Sequence, residues 1–178
     1  MSLISESQFL ILYDQYVDKI YRYIFFRIGS EEAAKDLTSE VFLKSWQYLN
    51  RSNTESRREL ANPRAFIYQV ARNLLVDFYR QKDKLPISLD EIADKSIADK
   101  NDDQIERTSR SLEMESVRGA LAYLSEEYQE VIIWRYLDEL EIKEICEILD
   151  KSEGAVRVLL SRALSGLKLA LNKQAKGV

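Results

Sequence analysis

Asn62–Lys82, NPRAFIYQVARNLLVDFYRQK, is the stretch on which the fold turns. Asn before Pro is a helix-start pair: the Asn side chain accepts a backbone N–H, and Pro at the first helical position forfeits no hydrogen bond. Phe66, Ile67, Val70, Ala71, Leu74, Leu75 and Phe78 then recur at three- and four-residue steps, which predicts a helix to about Lys82 with one apolar face. The other side carries Arg64, Tyr68, Arg72 and Tyr79 on one stripe, with Gln69, Asn73 and Arg80 beside it.

An apolar helix face needs partners, and the upstream chain supplies two. Residues 6–28 have Phe9, Tyr13, Tyr16, Val17, Ile20 and Ile24 at helical spacing and stop at Gly29. Ser30 reads as an N-cap, with Glu31 and Glu32 in the favourable first turn. The helix after it turns Ala34, Leu37, Val41, Phe42, Trp46 and Leu49 inward. Residues 50–61 are polar and aperiodic, a basic loop. Three such helices form a bundle.

Downstream, residues 83–112 lose the pattern. Pro86 interrupts, and the segment is charged and nearly free of core residues. It reads as a flexible linker that spans about 95 Å when fully extended, at roughly 3.3 Å per residue. Helical period returns from Glu113 with Met114, Val117, Leu121 and Leu124. Ser125 caps a helix ending near Tyr136–Asp138. A short helix follows over about 142–149, then a turn at Asp150-Lys151-Ser152, then a long helix from Glu153 to about Leu171. A short helix, a tight turn and a longer helix with a basic outer face is a helix-turn-helix pattern. The expected fold is all-α: two small helical domains, 1–82 and 113–178, joined by the linker 83–112.

Composition narrows the chemistry. The chain has no His and a single Cys, Cys146, which disfavours zinc sites and Ser/His or Cys/His nucleophiles. None of the 30 acidic residues stands in an apolar setting that marks a general acid or base. No enzyme, metal or cofactor is expected. No apolar run approaches the roughly 20 residues that span a bilayer, so no membrane insertion is expected, and the lone Cys suits a reducing cytoplasm. Cys146 itself reads as a small packing residue rather than a redox sensor. The net charge is −4, but its distribution matters more than its sum. Residues 51–82 hold seven basic and three acidic residues, and residues 153–176 hold five basic and one acidic, a local +4 in each case.

Three surfaces stand out, each with two readings. On the second helix Asp36, Ser39, Glu40, Leu43, Lys44 and Gln47 form an outer stripe with one apolar member. It is either a solvated face with a stray Leu or a docking face. On the third helix the alternation of Arg and Tyr suits single-stranded DNA, whose phosphates need cations and whose unpaired bases need stacking partners. Tyr at a core boundary with solubilising Arg accounts for the same residues. On the last helix Arg157, Ser161, Ser165 and Lys168, with Arg162 nearby, oppose Val156, Leu160, Ala163 and Leu167. That face either enters a major groove, where Arg reads guanine bidentately, or is an ordinary basic surface.

Several runs resemble a known family. Asp36-Leu37-Thr38-Ser39-Glu40-Val41-Phe42-Leu43-Lys44-Ser45-Trp46 resembles the polymerase-binding motif of extracytoplasmic-function sigma factors. Asn62-Pro63-Arg64-Ala65-Phe66-Ile67-Tyr68 with Val70-Ala71-Arg72-Asn73-Leu74-Leu75-Val76-Asp77 resembles their promoter-melting helix. Ala120–Ser125 through Arg135-Tyr136, then Glu144–Leu149 and Ser152–Arg157, resembles sigma region four. The resemblance implies that Asp36, Ser39, Glu40, Leu43 and Lys44 dock on the polymerase clamp. It implies that Arg64, Tyr68, Arg72, Asn73, Tyr79 and Arg80 hold the melted non-template strand of the minus-ten element. It implies that Arg157, Ser161, Arg162 and Lys168 meet minus-thirty-five duplex. Core RNA polymerase, promoter DNA and an anti-sigma protein are the implied partners, and polymerase performs the chemistry. Ser39 replaces the family's usual Gln, Asp150 its usual turn Gly, and Leu159 and Leu164 stand where basic residues are common. The rival reading is a stand-alone helix-turn-helix regulator.

Overall fold

The computed structural model describes residues 5–50, 62–84 and 115–177. Helix α1 is Glu6–Ile28, α2 Glu31–Asn50 and α3 Pro63–Lys82. Residues 115–121 form α4. Helix α5, Glu126–Ile132, runs into a π-helical turn over Ile133–Leu137, followed by α6, Ile142–Leu149, and α7, Glu153–Lys176. The described residues are helices and their connections, as the periodicity predicts. The basic loop with Arg51, Arg57 and Arg58, and the linker from residue 85 to 112, lie outside them.

Helix starts carry side-chain caps at Ser5, Asn62 and Ser152, whereas Ser125, expected to cap α5, precedes that helix without a side-chain cap hydrogen bond. Ser5 and Gln8 form a reciprocal capping box on α1, Asn62 accepts from the Ala65 N–H ahead of Pro63, and Ser152 accepts from the Ala155 N–H. Gly29 closes α1 at φ 72°, and its N–H donates to the Phe25 carbonyl. A side chain there is strained by the left-handed backbone, and its Cβ would also displace the Arg118 guanidinium, which sits over the Phe25 ring at 4.8 Å.

Asp150 is the second informative turn. It ends α6 at φ 52°, ψ 47°, the left-handed conformation that glycine adopts without strain. The turn therefore has the shape a Gly would give it, held by a residue for which that shape is costly. We expect Asp150→Gly to stabilise the protein by about 1 kcal/mol, raising the melting temperature by roughly 2–4 °C in a chain of this size. An unchanged or lower melting temperature by calorimetry counts against the strain.

Helices α1, α2 and α3 form the first bundle. Ile20, Ile24, Val41, Ile67, Ala71 and Leu75 fill its centre. The second unit packs α5 on α7 and places α6 across the turn before it, with Val131, Ile133, Ile145, Val156 and Ala163 buried. The two units do not stand apart. One continuous apolar core runs from Phe9 to Ala163, and Trp134 of the second unit is fully buried against Tyr23 and Tyr68 of the first, with ring centroids 5.5 and 6.3 Å away.

Candidate nucleic-acid interface

The π-helical turn matters because of where it puts three side chains. Glu130, Trp134 and Asp138 follow one another at four-residue steps. In an α-helix each such step overshoots a full turn by about 40°, so a straight stripe would drift round the helix. A wider turn takes back part of that rotation. Here the Asp138 N–H donates to the Ile133 carbonyl at 2.9 Å, five residues back. Glu130, Trp134 and Asp138 consequently share a face, and all three are buried.

That face meets the Arg64–Tyr68–Arg72 stripe, which has the same four-residue spacing and runs the opposite way. Arg72 Nε donates to Glu130 Oε2 at 3.0 Å. Tyr68 packs on Trp134, and its hydroxyl donates to Asp138 Oδ2 at 2.8 Å. Arg64 donates to the Asp138 carbonyl at 2.7 Å, and its guanidinium lies 3.7 Å from Glu144. Helix α1 completes the set. Arg27 and Tyr23 donate to Glu130 Oε1 at 3.0 and 3.2 Å, and Arg22 pairs with Asp138 while donating to the Leu137 carbonyl at 2.8 Å. Asn62 reaches Glu144 at 3.2 Å.

Burial sets the protonation of this cluster. It pushes the Asp138 carboxyl above the usual range, against the hydrogen bonds from Arg22 and Tyr68 that pull it down. Burial first, and then the neighbouring carboxylate, raises the phenols of Tyr68 and Tyr23, so both remain hydrogen-bond donors at physiological pH. Buried charges of this kind are tolerated only when paired and hydrogen-bonded.

Two expectations from the sequence need correction. The Arg–Tyr stripe was expected to face outward; it faces away from the first bundle but into the second unit, and Tyr68 is fully buried. The carboxylates were expected to lie outside apolar settings, but Glu130 is 3% exposed and Asp138 is completely enclosed. The physical reason is common to both. Helical spacing ranks the faces of one helix against its own bundle, and is blind to a second body that covers the polar side. The complementary spacing of Glu130, Trp134 and Asp138 was the available signal. Tyr79 is half-buried, its hydroxyl bonded to the Arg27 carbonyl at 2.6 Å. Asn73 and Arg80 remain exposed.

The other two surfaces are open. On α2, Leu43 is 56% exposed beside the Glu40–Lys44 ion pair of 2.9 Å, with Asp36 and Ser39 exposed on the same helix. Ser39 also lines a groove of about 320 Å³ between α1 and α2, together with Tyr13, Val17, Tyr21, Lys35 and Thr38. On α7, Arg157, Ser161, Arg162 and Lys168 are exposed; Arg157 folds back on Glu153 at 2.6 Å. Leu159 turns partly into the core rather than onto that face.

Residues 12–85 match the family model described as Sigma-70 region 2, and residues 114–167 that of Sigma-70, region 4. The RNA polymerase sigma factor YlaC of Bacillus subtilis is 33% identical over 165 residues, covering 91% of both chains. The chain belongs to the extracytoplasmic-function sigma factors. The ECF RNA polymerase sigma factor BldN of Streptomyces coelicolor is 31% identical over 168 residues, and this chain spans 61% of BldN's length. Among solved structures, CnrH in complex with the cytosolic domain of CnrY has the same fold, with a TM-score of 0.68, 20% identity and coverage of 95% of this chain and 90% of that one. The sigma factor RpoE in complex with the anti-sigma factor NepR from Bartonella quintana has a TM-score of 0.66 at 17% identity, covering 92% and 96%. The α1–α3 bundle is thus the region-two unit of this sigma factor and α4–α7 its region-four unit.

Proposed function

We propose that this sigma factor binds core RNA polymerase and directs promoter-specific initiation, with each surface above given one task. The observation that carries the reading is the presence of both sigma regions, in order, on one chain that spans nearly the whole of a curated sigma factor. Asp36, Ser39, Glu40, Leu43 and Lys44 dock on polymerase. Arg64, Tyr68, Arg72, Asn73, Tyr79 and Arg80 grip the melted minus-ten strand, and Arg157, Ser161, Arg162 and Lys168 read the minus-thirty-five duplex. The factor positions DNA and polymerase, and polymerase supplies the catalysis. It works in the cytoplasm, and an anti-sigma protein is a further proposed partner. A stand-alone regulator accounts for region four but leaves the region-two unit without a task.

The test is to mix the purified protein with sigma-free core polymerase. A stable 1:1 complex on gel filtration is expected, and separate elution contradicts the reading. Duplex reading has its own check. Arg157→Ala costs about 1–3 kcal/mol at one upstream base pair if Arg157 makes a base contact, once it has let go of Glu153. An even loss across all promoter sequences makes Arg157 a phosphate contact, and no loss removes α7 from the groove.

A further inference from the structure

Arg64, Tyr68 and Arg72 on the strand-gripping face of α3 each already donate a hydrogen bond to region four. Glu130 takes Arg72, Arg27 and Tyr23, and Asp138 takes Tyr68 and Arg22. Between the two carboxylates the Trp134 ring lies edge-on to Tyr68, at 79°. A melted strand offers this face the same three things, in the same order: an anion, a flat ring and an anion. The two carboxylates stand two four-residue steps apart, about 12 Å along a helix, so they stand in for every second phosphate of a strand.

From this match we propose that Glu130, Trp134 and Asp138 form an internal stand-in for the melted strand, a clasp that keeps the free sigma factor closed and must be displaced before region two can hold DNA. The clasp rests on the strand-binding role given above to Arg64, Tyr68 and Arg72, and adds to it an intramolecular competitor. The competitor is specific to the closed form because its carboxylates lie on region four while their partners lie on α1 and α3. Separating the units exposes the strand face and hydrates both acids in one movement. Binding of strand and closing of the clasp therefore exclude each other. The apparent affinity of the free factor for single-stranded DNA equals its intrinsic affinity scaled down by the open fraction.

Glu130→Gln with Asp138→Asn, made in the full chain, keeps the shape of both side chains and removes their charge. Two quantities decide the matter: the separation of the units, followed by energy transfer between labels on exposed positions of α2 and α7, and the affinity of the free protein for a fluorescent single-stranded oligonucleotide carrying a minus-ten sequence. The expected result is lengthened separation and about tenfold or greater tightening of oligonucleotide binding, with helical circular dichroism retained. Addition of the oligonucleotide to wild type should itself lengthen the separation. Unchanged separation and unchanged affinity overturn the clasp while leaving the strand-binding role standing, since that role is read separately in the polymerase complex. A lengthened separation without tighter binding overturns the competition. Should the double variant lose helicity, Glu130→Gln alone, which removes one of the two charges, is measured in its place; a smaller lengthening and tightening are expected, and no change in either overturns the clasp.

Discussion

We expect Leu43→Asp to abolish binding to core polymerase and to leave the free protein folded. The side chain is more than half exposed on α2 and is the apolar member of an otherwise polar stripe. An exposed substitution of this kind changes folding stability by no more than about 0.5 kcal/mol. At a docked interface the same change buries a carboxylate where an aliphatic group belonged. Losses at such central positions exceed about 2 kcal/mol, and with the desolvation of the new charge more than a hundredfold in Kd is expected. The neighbouring Glu40–Lys44 pair is a guide to specificity: Leu43→Ala, which removes contact without adding charge, should weaken binding by a smaller factor. Equal affinity of Leu43→Asp and wild type for core polymerase, measured by titration, removes this face from the account.

The combination of Tyr68→Ala and Arg72→Ala has two effects, because these residues work in two settings. In the free protein, Tyr68 packs in the shared core against Tyr23 and Trp134 and donates to Asp138. Truncating a buried aromatic of this size costs about 3–5 kcal/mol, so the melting temperature falls. In the polymerase complex, the strand-binding role proposed for these residues predicts a lost grip on separated bases. Each base stacked on an aromatic side chain contributes roughly 1–3 kcal/mol, so open complexes fall by about ten- to a hundredfold while polymerase binding stays near normal. A template with a pre-opened bubble restores transcription in part, since the strands are then already apart. Tyr68→Phe separates the two roles. It keeps the ring that stacks and loses the hydroxyl that bonds Asp138, so it should open promoters nearly as well as wild type. If the double variant opens duplex promoters normally, the stripe belongs to the closed form alone, and the melting role passes to the basic loop around Arg51, Arg57 and Arg58.

Much of the fold was legible because its rules are local. Asn62-Pro63 started α3, Gly29 ended α1, and Ser125 and Ser152 preceded the helices expected after them. The helix-turn-helix stood where a short apolar period, an Asp-Lys-Ser turn and a longer period placed it. The core was read less completely. Leu12, Tyr23 and Phe26 are buried in α1 although the periodic pattern favoured Tyr13, which is exposed. The long-range part was legible only as a pair of matching spacings. Nothing within α3 indicates that a second unit covers its polar stripe, and nothing within α5 indicates that Glu130, three residues after a solvated first turn, is enclosed. Those facts depend on a partner more than fifty residues away, and they appear only when Arg64–Tyr68–Arg72 and Glu130–Trp134–Asp138 are set side by side as complementary stripes. Even then, the spacing does not choose between a strand of DNA and a helix of the same chain. Both satisfy three donors and a ring.

The choice between a stand-alone DNA-binding regulator and an initiation factor is settled most directly by permanganate footprinting of a duplex promoter with purified components. Core polymerase alone leaves the start region unreactive, and so does the protein alone. The account predicts that the two together make thymines of the minus-ten region and start site reactive, and that this depends on both Leu43 and the Tyr68–Arg72 stripe. A protein that protects upstream duplex by itself yet leaves every thymine unreactive in the presence of core polymerase would contradict it.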